Sequence, residues 1–188
     1  SPEPSASSTP APPRAGASED PTRTRAAAPA DPAAQRLCQQ GRYYWERRTD
    51  DDLRRSADAF QKAIDIDPGY ALAWAGLADA YLMLGAWSVV QPKEAYARAK
   101  AAAERAIALD ESLAEPHATL GYYKTVYEWD WPGADREFQR AIELRPGYAT
   151  SHHWYGYYFL TVGDDARAVG EIERARELDR LSRVINDE

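Results

Sequence analysis

Apolar residues in this 188-residue chain never alternate with period two for long, which removes a β-rich reading. Nor do they approach the 18 or so in succession that a membrane-spanning helix needs. They fall instead into apolar segments bounded by helix stops and starts. Pro68 and Pro146 follow last turns, where proline cannot continue a helix. Gln91-Pro92-Lys93-Glu94 sets proline at a first helical position, and Ser112-Leu113-Ala114-Glu115 reads as a capping box. Gly85 and Gly163 are expected in inter-helix turns. This punctuation predicts helices over 34–48, 51–66, 70–84, 92–109, 113–127, 132–144, 148–162 and 164–179.

The segments repeat. Pro68-Gly69-Tyr70-Ala71 returns as Pro146-Gly147-Tyr148-Ala149, and Ala63-Ile64 upstream returns as Ala141-Ile142. Ala106-Ile107-Ala108-Leu109-Asp110 lies between them, and Ala175-Arg176-Glu177-Leu178-Asp179 follows. Successive offsets from Ala63 are 43, 35 and 34, a 34-residue period with insertions of nine and one.

That period, with Trp74, Leu77, Ala78 and Tyr81 followed by Ala99, Ala103 and Ala106, resembles the tetratricopeptide repeat. Gly41, Tyr44, Ser56, Phe60, Ala63 and Pro68 form another copy, with about three extra residues in its turn. Leu120, Gly121, Ala134, Phe138, Ala141 and Pro146 form the next, and Tyr155, Gly156, Phe159, Ala168, Ile172 and Ala175 the last. His117 and His152 replace the first signature Trp, Glu111 and Arg180 the closing Pro, and Lys124 the Tyr. The resemblance implies an all-α, right-handed α-solenoid of four helix-turn-helix motifs, in which small residues let paired helices cross closely. It places a Pro/Ala/Ser-rich linker at 1–32, repeats at 33–69, 70–112, 113–147 and 148–181, and the start of a truncated fifth repeat at 183–188. Gly41-Arg42-Tyr43-Tyr44-Trp45, Trp129-Asp130-Trp131 and Ser151-His152-His153-Trp154-Tyr155 narrow the likeness to the repeat region of large bacterial regulators. There such arrays accompany winged-helix, serine/threonine kinase or cyclase domains, which implies the scaffolding or sensory half of a signalling or transcription-regulatory protein.

Composition divides the chain. All 21 aromatic residues lie between Tyr43 and Phe159, while residues 1–32 hold eight of the thirteen prolines. Such a proline-rich segment has little to bury against the entropy of ordering, so it is expected to be a disordered, semi-extended linker. Charges within 1–36 cancel, and the net −7 therefore belongs to the repeats. An acidic array argues against direct nucleic-acid binding. With no initiator methionine, residue 1 is expected to be a cut in a longer protein. A bacterial cytoplasmic location is the default expectation, an extracytoplasmic one if the parent spans a membrane upstream.

Candidate chemistry is sparse. His117 and His152 share a signature aromatic position and are expected to pack between helices. His152 and His153 project about 100° apart and cannot readily share one ion. Cys38 is expected as a small apolar residue. Glu128 and Asp130 are expected in a solvated turn whose aromatics fold back. No nucleophile–base pair or phosphate-cradling loop is present, so neither enzyme, cofactor nor metal is expected.

Function is placed in the groove. The resemblance implies that repeat positions 2, 5, 9 and 12 of each first helix face it: Leu72, Ala75, Asp79 and Leu82; Glu115, Ala118, Tyr122 and Thr125; Thr150, His153, Tyr157 and Leu160. None is Lys or Asn, which disfavours the family's carboxylate-clamped peptides. Asp79 and Glu115 beside Tyr122, His153 and Tyr157 predict an acidic, aromatic wall for a basic peptide or partner helix. A small-molecule sensor and a structural or dimerising spacer are the alternatives. Trp87, Val89 and Val90 in the nine-residue insertion either fold over helix ends or form a docking loop. Val169 and Ile172 on the last helix lack a capping helix, so the expectation is either that the natural chain continues or that a second copy covers that end as a homodimer.

Overall fold

The computed structural model describes residues 30–180. Residues 1–29 of the expected linker and residues 181–188, which include the expected start of a fifth repeat at 183–188, lie outside the described residues. The helices are α1 (Pro32–Arg47), α2 (Asp50–Ile66), α3 (Ala71–Ala86), α4 (Pro92–Leu109), α5 (Glu115–Tyr123), α6 (Trp131–Leu144), α7 (Ala149–Val162) and α8 (Asp165–Leu178). A π-helical turn, Lys124–Glu128, extends α5. Among the described residues there is no strand. The helices pair in sequence as α1/α2, α3/α4, α5/α6 and α7/α8. First helices also touch one another, α1 on α3, α3 on α5 and α5 on α7, so they form the inner layer of an α-solenoid.

Small residues set the crossing distances. Phe60 of α2 is fully buried between Gly41 of its own pair and Gly76 of the next. A Cβ on Gly41 would come within 2.9 Å of the Phe60 ring, and one on Gly76 would overlap that ring. Phe138 presses on Gly121 and Ile172 on Gly156 in the same way. In the second pair Ala103 replaces the large residue, and Ala78 replaces the glycine.

Caps explain where the helices begin and where expectation and structure part. Thr49, Asp130 and Asp164 cap the second helices α2, α6 and α8 by accepting from Asp52, Gly133 and Arg167 amides. Pro92 opens α4 at its first turn, as its sequence position implies. The capping box at Ser112 does not form. The Ser112 hydroxyl donates to Asp110 at 2.6 Å and the helix starts at Glu115, whose carboxylate is engaged by arginines instead. Gly85 is not a turn residue either. It lies inside α3 against Ala95 and Tyr96, where closeness rather than backbone freedom requires it. Each turn within a helix pair instead carries one left-handed residue: Arg48 (φ 53°), Ser88 (φ 56°), Trp129 (φ 57°) and Gly163 (φ 82°). Only the last is the glycine that this backbone favours.

Gly76→Ala is expected to destabilise the array by about 2–3 kcal/mol and Gly41→Ala by about 1 kcal/mol, through overpacking against Phe60. Gly147→Ala, with open space around it, is the neutral control. Urea denaturation at constant m-value measures all three. Trp129→Gly relieves a left-handed non-glycine at the cost of chain entropy and is expected to leave stability within about 1 kcal/mol.

Candidate functional site

The glycine at the crossing fixes the register of the inner face. Gly41, Gly121 and Gly156 are equivalent, so Arg42 falls in one row with Asp79, Tyr122 and Tyr157. Trp45 falls in the next row with Leu82, Thr125 and Leu160. The first repeat thus adds Arg42 and Trp45, which the groove assignment from later repeats leaves out. The signal was present in the sequence as Gly41, three residues before Tyr44.

Around Arg42 the structure gathers charges from several elements. Its guanidinium lies 3.7 Å from Asp79 and 3.7 Å from Glu115. Arg145, at the end of α6, donates to the same Glu115 at 2.7 Å. The Asp79 carboxylate accepts from the hydroxyl of Thr119, whose oxygen also lies 3.1 Å from the Glu115 carbonyl. Burial pushes the Asp79 carboxyl up to about 6, against the opposing pull of Arg42 and the Thr119 hydrogen bond. Tyr148 is buried nearby, and burial first and the Asp79 charge second raise its phenol above the usual value.

This arrangement changes the expected acidic wall. The side chains of Asp79 and Glu115 are 1% and 5% exposed, while those of Arg42 and Arg145 are 28% and 50% exposed. An unpaired buried carboxylate is costly, so the acids sit inside and the arginines cover them. The charge turned toward solvent is therefore positive at this point. Leu82, Thr125 and His153 are also buried, with the Thr125 hydroxyl returned to the Gly121 carbonyl at 2.9 Å. Thr150 and Tyr122 are half-buried. Tyr157 and Leu160 remain open, 43% and 50% exposed. Tyr122 stacks on Tyr157 at 5.5 Å and meets Trp154 at 5.2 Å. Trp154 in turn meets Trp45 edge-on at 6.5 Å, a contact between the last and first repeats across the inner face. The Arg48 guanidinium lies 3.6 Å from the centre of the Trp45 ring.

The insertion after α3 is pinned to the helix ends. The Val89 and Val90 amides both donate to the Leu84 carbonyl, at 2.9 and 3.2 Å, and Arg54 donates to the Val89 carbonyl at 2.7 Å. Val89 and Val90 pack against the core and Trp87 stays exposed. Glu128 accepts from Lys100 at 2.7 Å and Asp130 caps α6. Trp131 folds back against the core, but Trp129 does not fold back at all. On α8, Val169 is exposed and Ile172 half-buried on Gly156.

The histidines substitute for Trp74 in kind. The Trp74 indole donates to the Pro68 carbonyl at 3.0 Å, and His152 Nε2 reaches the Pro146 carbonyl at 3.0 Å. His152 Nδ1 lies 2.6 Å from Glu171, so both ring nitrogens face acceptors. Burial opposes the charged ring, but the Glu171 and Pro146 hydrogen bonds outweigh it and raise the pKa. His117 pairs with Glu137 at 2.8 Å. Cys38 is buried, and burial raises its thiol. Among the described residues, no group of three or more His, Cys, Asp or Glu could hold a metal ion. No helix there is long and apolar enough to cross a membrane.

The tetratricopeptide repeat family model matches residues 59–95, from the second half of α2 through α3 and the insertion to the first residues of α4. No curated protein matches the chain. The fold is similar to that of a thermophilic TPR protein of Thermus thermophilus (TM-score 0.59, 14% identity, covering 82% of this chain and 96% of that one). It is similar to Pseudomonas aeruginosa PilF (TM-score 0.56, 22% identity, 81% of this chain and 64% of that one). The first TPR of Spaghetti, solved bound to an HSP90 peptide, is also similar (TM-score 0.53, 19% identity, 70% of this chain and 94% of that one).

Arg42→Met is expected to cost about 2–3 kcal/mol at pH 8, since it removes the guanidinium beside the buried Asp79 and leaves Glu115 to Arg145. The loss shrinks at pH 5, where Asp79, at about 6, is mostly neutral; urea denaturation at both pH values checks this. For His152, a folded-state pKa above 6.5 means its pairing stabilises fully below 6.5 and fades as pH rises through the raised value. Its imidazole NMR titration midpoint is expected above 6.5, moving down in Glu171→Gln.

Proposed function

From the premise that this chain is a tetratricopeptide-repeat protein, we propose that its array is a non-catalytic protein-interaction module whose inner face takes an acidic peptide or partner helix. One observation carries the reading: arginines cover the buried acids, and Tyr122, Tyr157 and Leu160 continue that face as a partly open apolar row. Arginine and tyrosine together suit an interface anchor, supplying donors for carboxylates and a large apolar surface. The HSP90 peptide bound by the similar Spaghetti repeat domain, Ser-Arg-Met-Glu-Glu-Val-Asp, offers chemistry of that sort. The basic partner expected from sequence is less well served, because Asp79 and Glu115 are buried under arginine. The bacterial signalling or transcription-regulatory setting, with its default cytoplasmic location, belongs to this proposal and rests on the sequence resemblance.

A structural or dimerising spacer is the second reading, supported by the Trp45–Trp154 contact across the inner face. The exposed Val169 adds a surface through which the last repeat could pair.

Peptide arrays of acidic, basic and neutral segments separate the readings. Acidic segments are expected to be retained by the full chain. Tyr157→Ala combined with Leu160→Ala should weaken them about tenfold or more with little change in thermal midpoint, as both side chains are exposed. Preference for basic segments would overturn the arginine reading, and retention of none would favour the spacer.

A further inference from the structure

In a repeat array each unit ordinarily touches only its neighbours. The first helix of this one reaches further. Arg42 of α1 pairs with Glu115 of the third repeat at 3.7 Å, and Trp45 of α1 meets Trp154 of the fourth repeat edge-on at 6.5 Å. Both indoles are buried, 7% and 3% exposed. The Arg48 guanidinium, 3.6 Å from the centre of the Trp45 ring, backs that ring. These long-range ties differ in kind from the crossings that build the repeats. Phe60 interlocks with Gly41 and Gly76, whereas the distances from Arg42 to Asp79 and Glu115 exceed hydrogen-bond length. Among the described residues, Asp79 Oδ2 accepts no hydrogen bond and the buried Trp45 indole N–H has no acceptor. A buried polar group without a partner is costly, and contact with water removes the cost. Closure therefore gains aromatic contact while withholding hydrogen bonds that opening restores.

We propose that Arg42 and Trp45 form a latch tying the first repeat to the third and fourth, and that its release opens the inner face of the array. The seam that yields is the one between the second and third repeats. At the first seam Phe60 presses on Gly76, and at the last Phe138 packs on Tyr155 and Tyr158 at 5.1 and 6.1 Å. At the middle seam Ala103 stands in the place of Phe60, and Thr119 in that of Gly76. No large side chain interlocks at that pair of positions. The middle seam is held from the outer helix α4, by Lys100 on Glu128 at 2.7 Å and Tyr96 on Tyr123 at 6.1 Å. Rotation about those outer contacts separates Trp45 from Trp154 and leaves the crossings of Phe60 and Phe138 with their glycines in place. Once released, Trp154, already 5.2 Å from Tyr122, and Trp45 become an aromatic wall that the closed array buries. The latch thus sets what an occupant of the inner face meets, and it stands whether or not that occupant is an acidic peptide.

Gln39 on α1 and Glu173 on α8 are both exposed. Nitroxides on Gln39→Cys and Glu173→Cys of the full chain, with the buried Cys38 replaced by Ala, report the separation of the first and last repeats by pulsed electron resonance. Trp45→Leu, which keeps an apolar side chain on α1, is expected to lengthen that distance by about 5 Å or more, half the spacing of packed helices, with helical circular dichroism unchanged. Trp131→Leu, at a half-buried tryptophan that opens α6, is the control and should leave the distance as it is. With Trp45 intact, the same lengthening is expected in urea below the unfolding midpoint, before helicity falls. An unchanged distance in helical Trp45→Leu, or equal lengthening in Trp131→Leu, overturns the latch. So does a distance that lengthens in urea only as helicity is lost, a result that decides the matter even where Trp45→Leu fails to fold.

Discussion

Phe60 lies against two glycines, closer than a Cβ on either would allow, and the geometry of the first two repeats follows from it. A benzyl side chain fully inside a layer of helices needs a partner helix without side chains at the points of contact. Gly41 supplies one such point within the first pair and Gly76 the other from the next pair. One aromatic ring therefore sets both the crossing of α1 with α2 and the stacking of the second repeat on the first. Where the large residue becomes Ala103, the facing positions carry Ala78 and Thr119, so volume is conserved while its distribution changes.

That crossing fixes which side chains face inward, and burial then sorts them by chemistry. Four rows of the inner layer converge, so the central positions lose water while the rims keep it. Asp79 and Glu115 fall at the centre, where a carboxylate is stable only with partners. Arg42 of α1, Thr119 of α5 and Arg145 at the end of α6 provide them. A formally acidic set of positions becomes a face whose outer atoms are guanidinium. Net charge therefore says little about what a groove shows to a partner when the groove is deep enough to bury its own charges.

The helix order and repeat period were legible in the sequence because proline, glycine and alanine act locally or at fixed spacing. Helix ends agree within two residues for this reason, once the π-helical turn is counted with α5; α4 agrees at both ends and α2, α6 and α7 differ by one residue at one end. Misreadings arise where a residue has two competing uses. Ser112 and Glu115 spell a capping box, but two arginines distant in sequence claim the glutamate. Gly85 spells a turn, but Tyr96 from the next helix requires its missing side chain. Of the groove positions, the assignment to the inner layer came from the register, while exposure did not. Whether Asp79 meets water depends on Arg42, 37 residues away, and no local pattern encodes that distance.

The turns show the same principle in reverse. Each helix pair needs one left-handed residue to reverse direction, and only the last pair uses glycine. Arg48, Ser88 and Trp129 hold that backbone at some cost, so their side chains are retained against a cheaper alternative. For Arg48 the return is visible: its guanidinium lies over Trp45 on the inner face. Trp129 has no such return within the array, being the most exposed large apolar side chain described. A residue that is strained in its backbone and solvated in its side chain contributes little to holding the repeats together. What Trp129 presents is an exposed ring on the turn side of the solenoid, for which the packing of the repeats does not account.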